Sequence, residues 1–194
     1  MSKEVWGPKA WHLIHTFSIH SKDNECLYTM IQTFGYILPC EVCKKHYNYL
    51  INDIYYLNEN KITQKMMIQY LIDIHNMINN DLDKKVKLSY KKAIQLQEKT
   101  QDDNILFLIK SIYKHLDYQH MSFNEFDKIY NFFVCFVKDY PTKKIRIKLN
   151  ELINQKEFED ANTPMSFKKW FIKYYCTMTF VNNIKQDSFF DIKK

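Results

Sequence analysis

The chain carries the segment PCEVCKKHY at residues 39–47, in which two cysteines stand three positions apart directly after a proline. Pro39 ends any preceding helix because proline lacks the amide hydrogen that a helix interior needs. We therefore expect a new helix to begin at Cys40. A cysteine at a helix start lies near free backbone amides and the positive end of the helix dipole, which lower its pKa and make it reactive. This segment predicts a helical protein with a reactive cysteine pair at a helix N-terminus.

The cysteine usage favours redox or metal chemistry over a structural disulfide framework. The 194 residues contain five cysteines and begin with a short polar stretch that does not resemble a secretory signal, so we expect the chain to start in the cytosol. Cys40 and Cys43 could also be two ligands of a zinc site completed by His46 and a distant residue. A second Cys-x-x-Cys would favour zinc, and the sequence has none. We therefore predict no metal, and a non-catalytic helical zinc-binding or virion scaffold protein remains the alternative. The single cysteines are expected to be buried thiols, in preference to a Cys135–Cys176 shuttle: Cys26, Cys135 and Cys176.

The composition predicts an all-α protein. The sequence is 46% hydrophobic and 16% aromatic with 2 glycines and 4 prolines, so turn signals are scarce. Apolar residues three and four apart predict five helices in the first half, at about 8–21, 24–38, 40–52, from Thr63 and from Ser89. The same periodicity predicts four in the second half, at 105–116, 122–138, 144–158 and 164–184. Residues 132–137 also suit a strand, because they are aromatic and branched.

A polar stretch, QLQEKTQDDN at residues 95–104, predicts a domain boundary. We expect a first domain at 1–100 and a second helical module of unknown role at 101–194. The net charge of +6 is spread along the chain, which does not suggest nucleic-acid binding. The longest apolar run, residues 132–137, is far too short to cross a membrane, so we predict no membrane partner.

Three segments of the first half resemble the Erv/ALR family of FAD-linked sulfhydryl oxidases, and they follow one another in that family's order. They are WGPKAW at 6–11 with His15-Thr16, PCEVC at 39–43 with His46-Tyr47, and HNMIN at 75–79 with Leu82 and Lys84. The resemblance implies a four-helix bundle plus a short fifth helix that binds FAD, followed here by the second helical module. It also implies a homodimer, for which family members often use helices one and two.

The resemblance also implies residue roles. The catalytic pair would be Cys40, which receives a substrate thiolate, and Cys43, which faces the flavin. Helix one would contact the flavin through Gly7, Trp11 and His15. Helix four would hold the adenine and phosphate end through a second group: His75, Asn76, Asn79, Leu82 and Lys84. The helical spacing of His75, Asn79 and Leu82 independently places them on one face. Protein dithiols would be oxidised, and oxygen would be reduced to hydrogen peroxide.

The chain differs from the cellular members of that family. Asp83 replaces the glycine usual before the motif's lysine, and the aromatic that closes over adenine has only Tyr90 as a candidate. The extra structural cysteines and a separate Cys-x-x-Cys shuttle are missing. These features resemble the reduced oxidases of large cytoplasmic DNA viruses. We therefore expect the protein to act in the host cytoplasm, the viral factory or the virion.

Overall fold

Helices make up almost all of the regular structure. The computed structural model describes residues 3–54, 62–96, 102–153 and 163–181. No strand occurs in these ranges, which confirms the all-α prediction and places residues 132–137 within a helix. The described residues contain nine α-helices: α1 Lys3–His20, α2 Asn24–Thr33, α3 Glu41–Tyr49, α4 Gln64–Asp81, α5 Tyr90–Leu96, α6 Asp102–His115, α7 Phe123–Lys138, α8 Lys143–Ile153 and α9 Pro164–Val181.

Local capping signals set several helix starts. The hydroxyls of Thr63, Ser89, Ser122 and Thr163 each accept a backbone amide three residues later, at 3.2 or 3.3 Å. Such caps satisfy an amide that has no partner inside the helix. The predicted starts of α4, α5, α7 and α9 are therefore confirmed.

Two predicted helix bounds in the first half are wrong. Helix α1 begins at Lys3, and Pro8 lies inside it. Pro8 removes one backbone hydrogen bond from the helix interior, and α1 continues through it. Helix α2 ends at Thr33 and continues as a 3-10 turn, Phe34–Ile37. A Cβ at Gly35 would overlap the Asn48 side chain on α3, so glycine allows this turn to pack closely on the cysteine helix.

The first half forms the predicted bundle. Helices α1, α2 and α4 pack against one another, α3 packs on the 3-10 turn, and the short α5 packs on α4. A π-helical turn, Leu50–Ile54, follows α3. The centre of this bundle consists of side chains with no exposed surface, among them Leu13, Ile14, Phe17, Met30, Leu71 and Ile74.

The second half packs directly on the first. Helix α7 lies along α2 and α6 lies along α1, while α8 and α9 cover their outer side. The Phe17 and Phe136 rings lie 4.9 Å apart between centroids, and one continuous cluster of buried residues joins the two halves. Polar contacts cross the same boundary, since Lys9 donates to Asn104 at 2.7 Å and Ser21 donates to the Asp139 carboxylate. A domain boundary near residue 100 stays a prediction, but the buried core continues across it.

No helix within the described ranges is both long and apolar enough to span a membrane.

Candidate active site at the Cys40–Cys43 disulfide

Cys40 and Cys43 form a disulfide at the start of α3, with their Cα atoms 5.2 Å apart. Cys40 is the N-cap residue, and its sulfur accepts the Cys43 backbone amide at 3.3 Å. The positive end of the helix dipole and this amide would stabilise a thiolate at Cys40 after reduction. Because each sulfur is bonded to the other, neither is free to bind zinc in this state. The pair can exchange with an external dithiol.

Two side chains of α3 fix the disulfide relative to the other helices. The Tyr47 hydroxyl donates to the Ile31 carbonyl of α2 at 3.0 Å, and burial raises the pKa of Tyr47 well above its usual value. His46 Nε2 lies 2.9 Å from the Asp81 carboxylate at the end of α4. The cysteine helix is thus held to α2 and to α4, and α4 is one of the two helices that contain the predicted FAD-binding residues.

The structure brings two residues predicted to contact the flavin, Trp11 and His15, and one predicted to hold the adenine and phosphate end, His75, into one ring cluster. The Trp11 and His75 rings lie 4.0 Å apart and are parallel within 3°. His15 completes the cluster, with its Nε2 atom 3.0 Å from His75 Nδ1. Residues from α1 and α4, which are 60 positions apart in the chain, therefore present one aromatic surface.

Both histidines of this cluster are neutral near pH 7. Burial lowers the pKa of His15 to about 3, with further lowering from His75 and His12. Burial also lowers the pKa of His75 to about 4, and nearby Lys84 adds to the effect. One imidazole therefore donates its hydrogen to the other. His15 Nδ1 is buried and has no hydrogen-bond partner, which is costly unless a ligand supplies one.

These residues fit FAD. A flat aromatic surface suits an isoalloxazine or adenine ring, and the unpaired His15 Nδ1 can form a hydrogen bond with a ring heteroatom. Exposed Lys84, which lies near His75, offers an ammonium group that suits a diphosphate.

The other predicted binding residues have different surroundings. Asn76 exchanges two hydrogen bonds with the backbone of Leu88, at 2.7 and 2.9 Å, and Asn79 donates to the Val86 carbonyl at 3.3 Å. Both amides hold the segment after α4 in place. The remaining predicted residues are more open: Leu82 is 42% exposed, Lys84 is exposed, and a Cβ at Gly7 would have no neighbour within 4 Å. A ligand-contacting role for these five residues stays a prediction.

Asp83 occupies a backbone conformation that favours glycine. Its φ is 55°, and within the described ranges it is the one non-glycine residue with a positive φ. Its amide donates to the Asn80 carbonyl at 3.0 Å, and the Lys84 amide donates to Asn79 at 2.8 Å. This pair of bonds is the Schellman motif that ends many helices, in which glycine is usual at this position. The positive φ at this position therefore explains why the family that the sequence resembles usually has glycine here.

Sequence reasoning missed an ion pair beside the disulfide. Lys44 Nζ of α3 lies 2.6 Å from Glu125 of α7 and 3.6 Å from Glu41. These three residues and Cys40 line a cleft of about 370 Å³. No sequence signal connects residues 81 positions apart, so this contact required the structure.

The single cysteines largely match expectation. Cys26 and Cys135 are buried, and Cys176 is partly buried. Cys26 of α2 hydrogen-bonds with Cys135 of α7, and this bond together with burial raises the pKa of Cys26. The thiol next to Cys135 is therefore that of Cys26, whereas the shuttle considered from the sequence would pair Cys135 with Cys176.

Comparison with known proteins identifies relatives of the first half. The model of the Erv1 / Alr family matches residues 8–103. A probable FAD-linked sulfhydryl oxidase of Acanthamoeba polyphaga mimivirus is 31% identical over 106 residues, which cover 52% of this chain and 73% of the relative. FAD-linked sulfhydryl oxidases of two African swine fever virus isolates are 33% and 32% identical over 88 residues, covering 42% of this chain and 71% of each relative. No solved structure matches the chain significantly.

Proposed function

The chain belongs to the Erv1/Alr family, and from this membership we propose that its Cys40–Cys43 disulfide is the catalytic centre of an FAD-dependent sulfhydryl oxidase. The enzyme oxidises protein thiols. The observation that carries the assignment of the catalytic pair is the Cys40 sulfur at the N-terminus of α3, where it accepts a backbone amide. That position favours the thiolate that a disulfide-exchanging enzyme must form and release.

The exchange transfers two electrons to the chain. A client thiolate attacks the Cys40 sulfur, the Cys40–Cys43 bond breaks, and Cys43 leaves as a thiolate. A second client thiolate then attacks the client sulfur of the mixed disulfide and displaces Cys40 as a thiolate. The client becomes a disulfide, and Cys40 and Cys43 hold the two electrons.

The ring cluster is proposed as the flavin site. Trp11 and His75 would provide the stacking surface and His15 the hydrogen bond, while Lys84 would pair with phosphate. Bound FAD would accept the two electrons and pass them to oxygen, which yields hydrogen peroxide. The two imidazoles stay neutral because of burial, so this surface adds no positive charge beside the cofactor. Asn76 and Asn79 would position Lys84 by holding the segment after α4.

A homodimer is also proposed, and the packing of the two halves limits the surface available for its interface. Helices α1 and α2, which the resemblance implies in dimerisation, pack against α6 and α7 of the same chain. A dimer through α1 and α2 would therefore use the faces of these helices that α6 and α7 leave uncovered. Sedimentation equilibrium of the full chain measures the oligomeric state, and a monomer at micromolar concentration would remove the proposal.

The site of action is proposed to be the host cytoplasm, the viral factory or the virion. The relatives named above come from two large DNA viruses, which supports a viral setting. Immunogold labelling of infected cells and purified particles would test this location, and labelling confined to a secretory compartment would contradict it.

Absorption and oxygen measurements test the function. The purified full chain should be yellow, with a flavin band that bleaches when dithiothreitol is added without oxygen. With oxygen present, dithiothreitol should be consumed and hydrogen peroxide should form in equal amount. The zinc-binding alternative predicts a colourless protein from which a chelator releases metal. A protein without flavin and without oxygen consumption would overturn the proposal.

A further inference from the structure

The cleft beside the disulfide has walls from both halves of the chain. Its volume of about 370 Å³ is at the small end of ligand pockets. One wall consists of residues 37–41 with Lys44, and the other consists of residues between Ile112 and Glu125. The family model matches residues 8–103, so the second wall lies wholly outside the matched segment. It is therefore a feature that this chain adds to the family domain.

The cleft presents one sulfur of the pair. Cys40 lines it, whereas Cys43 is not among the lining residues. A client thiol that enters from this side therefore meets Cys40, which is the sulfur that the proposed exchange requires. The Lys44–Glu125 bridge holds the two walls together, and the Lys44 side chain is only 17% exposed.

Apolar and ionisable side chains both line the cleft, and its carboxylates are called here the acidic rim. Its apolar lining comes from both walls: Ile37, Leu38, Ile112, Leu116 and Met121. Its ionisable lining residues are the carboxylates of Glu41, Asp117 and Glu125, the ammonium of Lys44 and the imidazoles of His115 and His120. A hydrogen bond from the His120 side chain lowers the pKa of Asp117, so this carboxylate is ionised at neutral pH.

An acidic rim discriminates between clients. The attacking group is a thiolate, which neighbouring carboxylates repel unless the client supplies positive charge. A lysine or arginine beside the client cysteine would pair with the rim and would also lower the pKa of the client thiol. An apolar side chain beside the cysteine would pack against the apolar residues that line the cleft. Its transfer out of water would favour binding.

From this arrangement we propose that the cleft is a client-docking site which selects cysteines flanked by an apolar residue and a basic residue in an extended segment. The proposal rests on the oxidase function above and adds its substrate class. Glu41 and Glu125, one on each wall, would determine the charge preference.

Synthetic dithiol peptides test this preference with the full-length flavoenzyme. Three peptides carry apolar and basic, apolar and acidic, or polar and basic residues beside the cysteines, and dithiothreitol serves as an uncharged small dithiol. Oxygen consumption gives kcat/KM for each. We expect the apolar-basic peptide to exceed the apolar-acidic one roughly tenfold at low salt, with the ratio falling as ionic strength rises. We also expect it to exceed the polar-basic peptide several-fold.

Two variants assign the preference to the cleft. Glu125→Gln changes one wall and Glu41→Gln the other, so failure of one variant to fold leaves the second. Each variant should reduce the ratio of kcat/KM for the apolar-basic peptide to kcat/KM for the apolar-acidic peptide, called here the basic-to-acidic ratio, about threefold or more. Glu151→Gln on α8 is the matched control, because its carboxylate is an exposed partner of Lys148 and does not line the cleft; it should leave the ratio unchanged.

The outcomes separate this inference from the function on which it rests. A wild-type enzyme that oxidises dithiothreitol but treats the three peptides alike would overturn the docking proposal and leave the oxidase function intact. Equal loss of the ratio in Glu151→Gln would also overturn it, as would a full ratio in both cleft variants. An enzyme that oxidises no dithiol at all would instead contradict the proposed function.

Discussion

The first region of the described chain, residues 3–54 and 62–96, shares one core with the second region, residues 102–153 and 163–181, yet the two regions bury different kinds of side chain. The polar side chains buried in the described ranges lie mainly in the first region: His15, Thr16, Ser18, Ser21, Thr33 and Asn79. The second region contains two, Ser111 and Asp139, and Asp139 bonds back to Ser21. Its largest fully buried side chains are aromatic: Phe132, Phe133, Phe136, Tyr140, Phe167, Phe171 and Tyr174. Buried polar groups destabilise unless they are paired, whereas buried rings stabilise.

The comparison suggests a division of labour. The first region contains the disulfide and the stacked Trp11 and His75 rings, whereas buried polar atoms without a partner occur in both regions, as at His15 Nδ1 and the Tyr174 hydroxyl. The second region covers α1 and α2 with apolar area and supplies one wall of the cleft at Cys40. Chemistry and cofactor binding would thus belong to the first region, and stability and client choice to the second. Four measurements can break or sharpen this view.

The largest effect is expected on turnover, when a cysteine of the disulfide in the first region is substituted and compared with a substituted cysteine of the second region. Cys43→Ser should lower turnover with dithiothreitol at least about a thousandfold, because the exchange then lacks its leaving thiolate. The flavin should stay bound, since the ring cluster is unchanged. Cys176→Ser, on α9, is the matched control and should keep full turnover. Oxygen consumption and the flavin spectrum report the two properties, and turnover retained in Cys43→Ser would refute the assignment of the pair.

A core substitution tests whether the regions unfold together. Phe136 has no exposed surface and contacts Phe17 across the boundary, so Phe136→Ala should cost about 3–5 kcal/mol of unfolding free energy. Phe123→Ala is the matched control, because Phe123 is 80% exposed, and it should change stability by less than about 0.5 kcal/mol. Flavin release and far-UV circular dichroism should shift to lower temperature together. Flavin release that stayed at the wild-type temperature would show that the regions are energetically separate.

The buried histidines should make stability depend on pH. Their folded pKa values, about 3 for His15 and about 4 for His75, lie below the ordinary value of 6.5, so the unfolded chain binds more protons between these values. Stability is therefore highest above about pH 6.5 and falls as the pH decreases towards 4. Urea unfolding at pH 7.5 and 4.5 should differ by roughly 5 kcal/mol, since each of these two groups contributes about 1.4 kcal/mol per pH unit between the unfolded pKa and pH 4.5.

Variants separate this effect from the titration of carboxylates. His75→Phe keeps a ring against Trp11 but removes one titrating group, so the loss of stability between the two pH values should be smaller than in the wild type. His115→Gln changes an exposed histidine of the second region whose side chain bonds to a backbone carbonyl, and it serves as the control, with an unchanged loss. Equal losses in His75→Phe and the wild type would show that His75 is not responsible.

The smallest effect is expected at Asp83. Because its φ of 55° suits glycine better than aspartate, Asp83→Gly should raise the unfolding free energy by about 1 kcal/mol. Gln69→Gly serves as the comparison, because it places glycine at an exposed position within α4. It should lower the unfolding free energy by a similar amount. Urea unfolding measures both, and destabilisation by Asp83→Gly would mean that the aspartate side chain contributes more than the backbone strain costs.

Local signals in the sequence were enough for the helical class, several helix starts and the cysteine pair. The Ser122 and Thr163 caps and the Pro39 break act within a few residues, so the sequence contains the whole interaction. The resemblance added FAD and thiol oxidation, which the family match supports. Helix bounds were predicted less well. At the start of α1, for example, the free energy lost at Pro8 is smaller than the free energy gained by packing the additional helical residues.

The sequence by itself therefore determined an all-α oxidase with a Cys40–Cys43 pair at a helix start. Only the tertiary structure decided that α6 and α7 cover α1 and α2, that His15 meets His75, and that Lys44 meets Glu125 beside Cys40. These contacts join residues 60 to 81 positions apart, or whole helices from different halves. Helical periodicity tells which face of a helix is apolar, but it does not tell which other helix will cover that face. That choice depends on how all of the apolar faces can be buried at once.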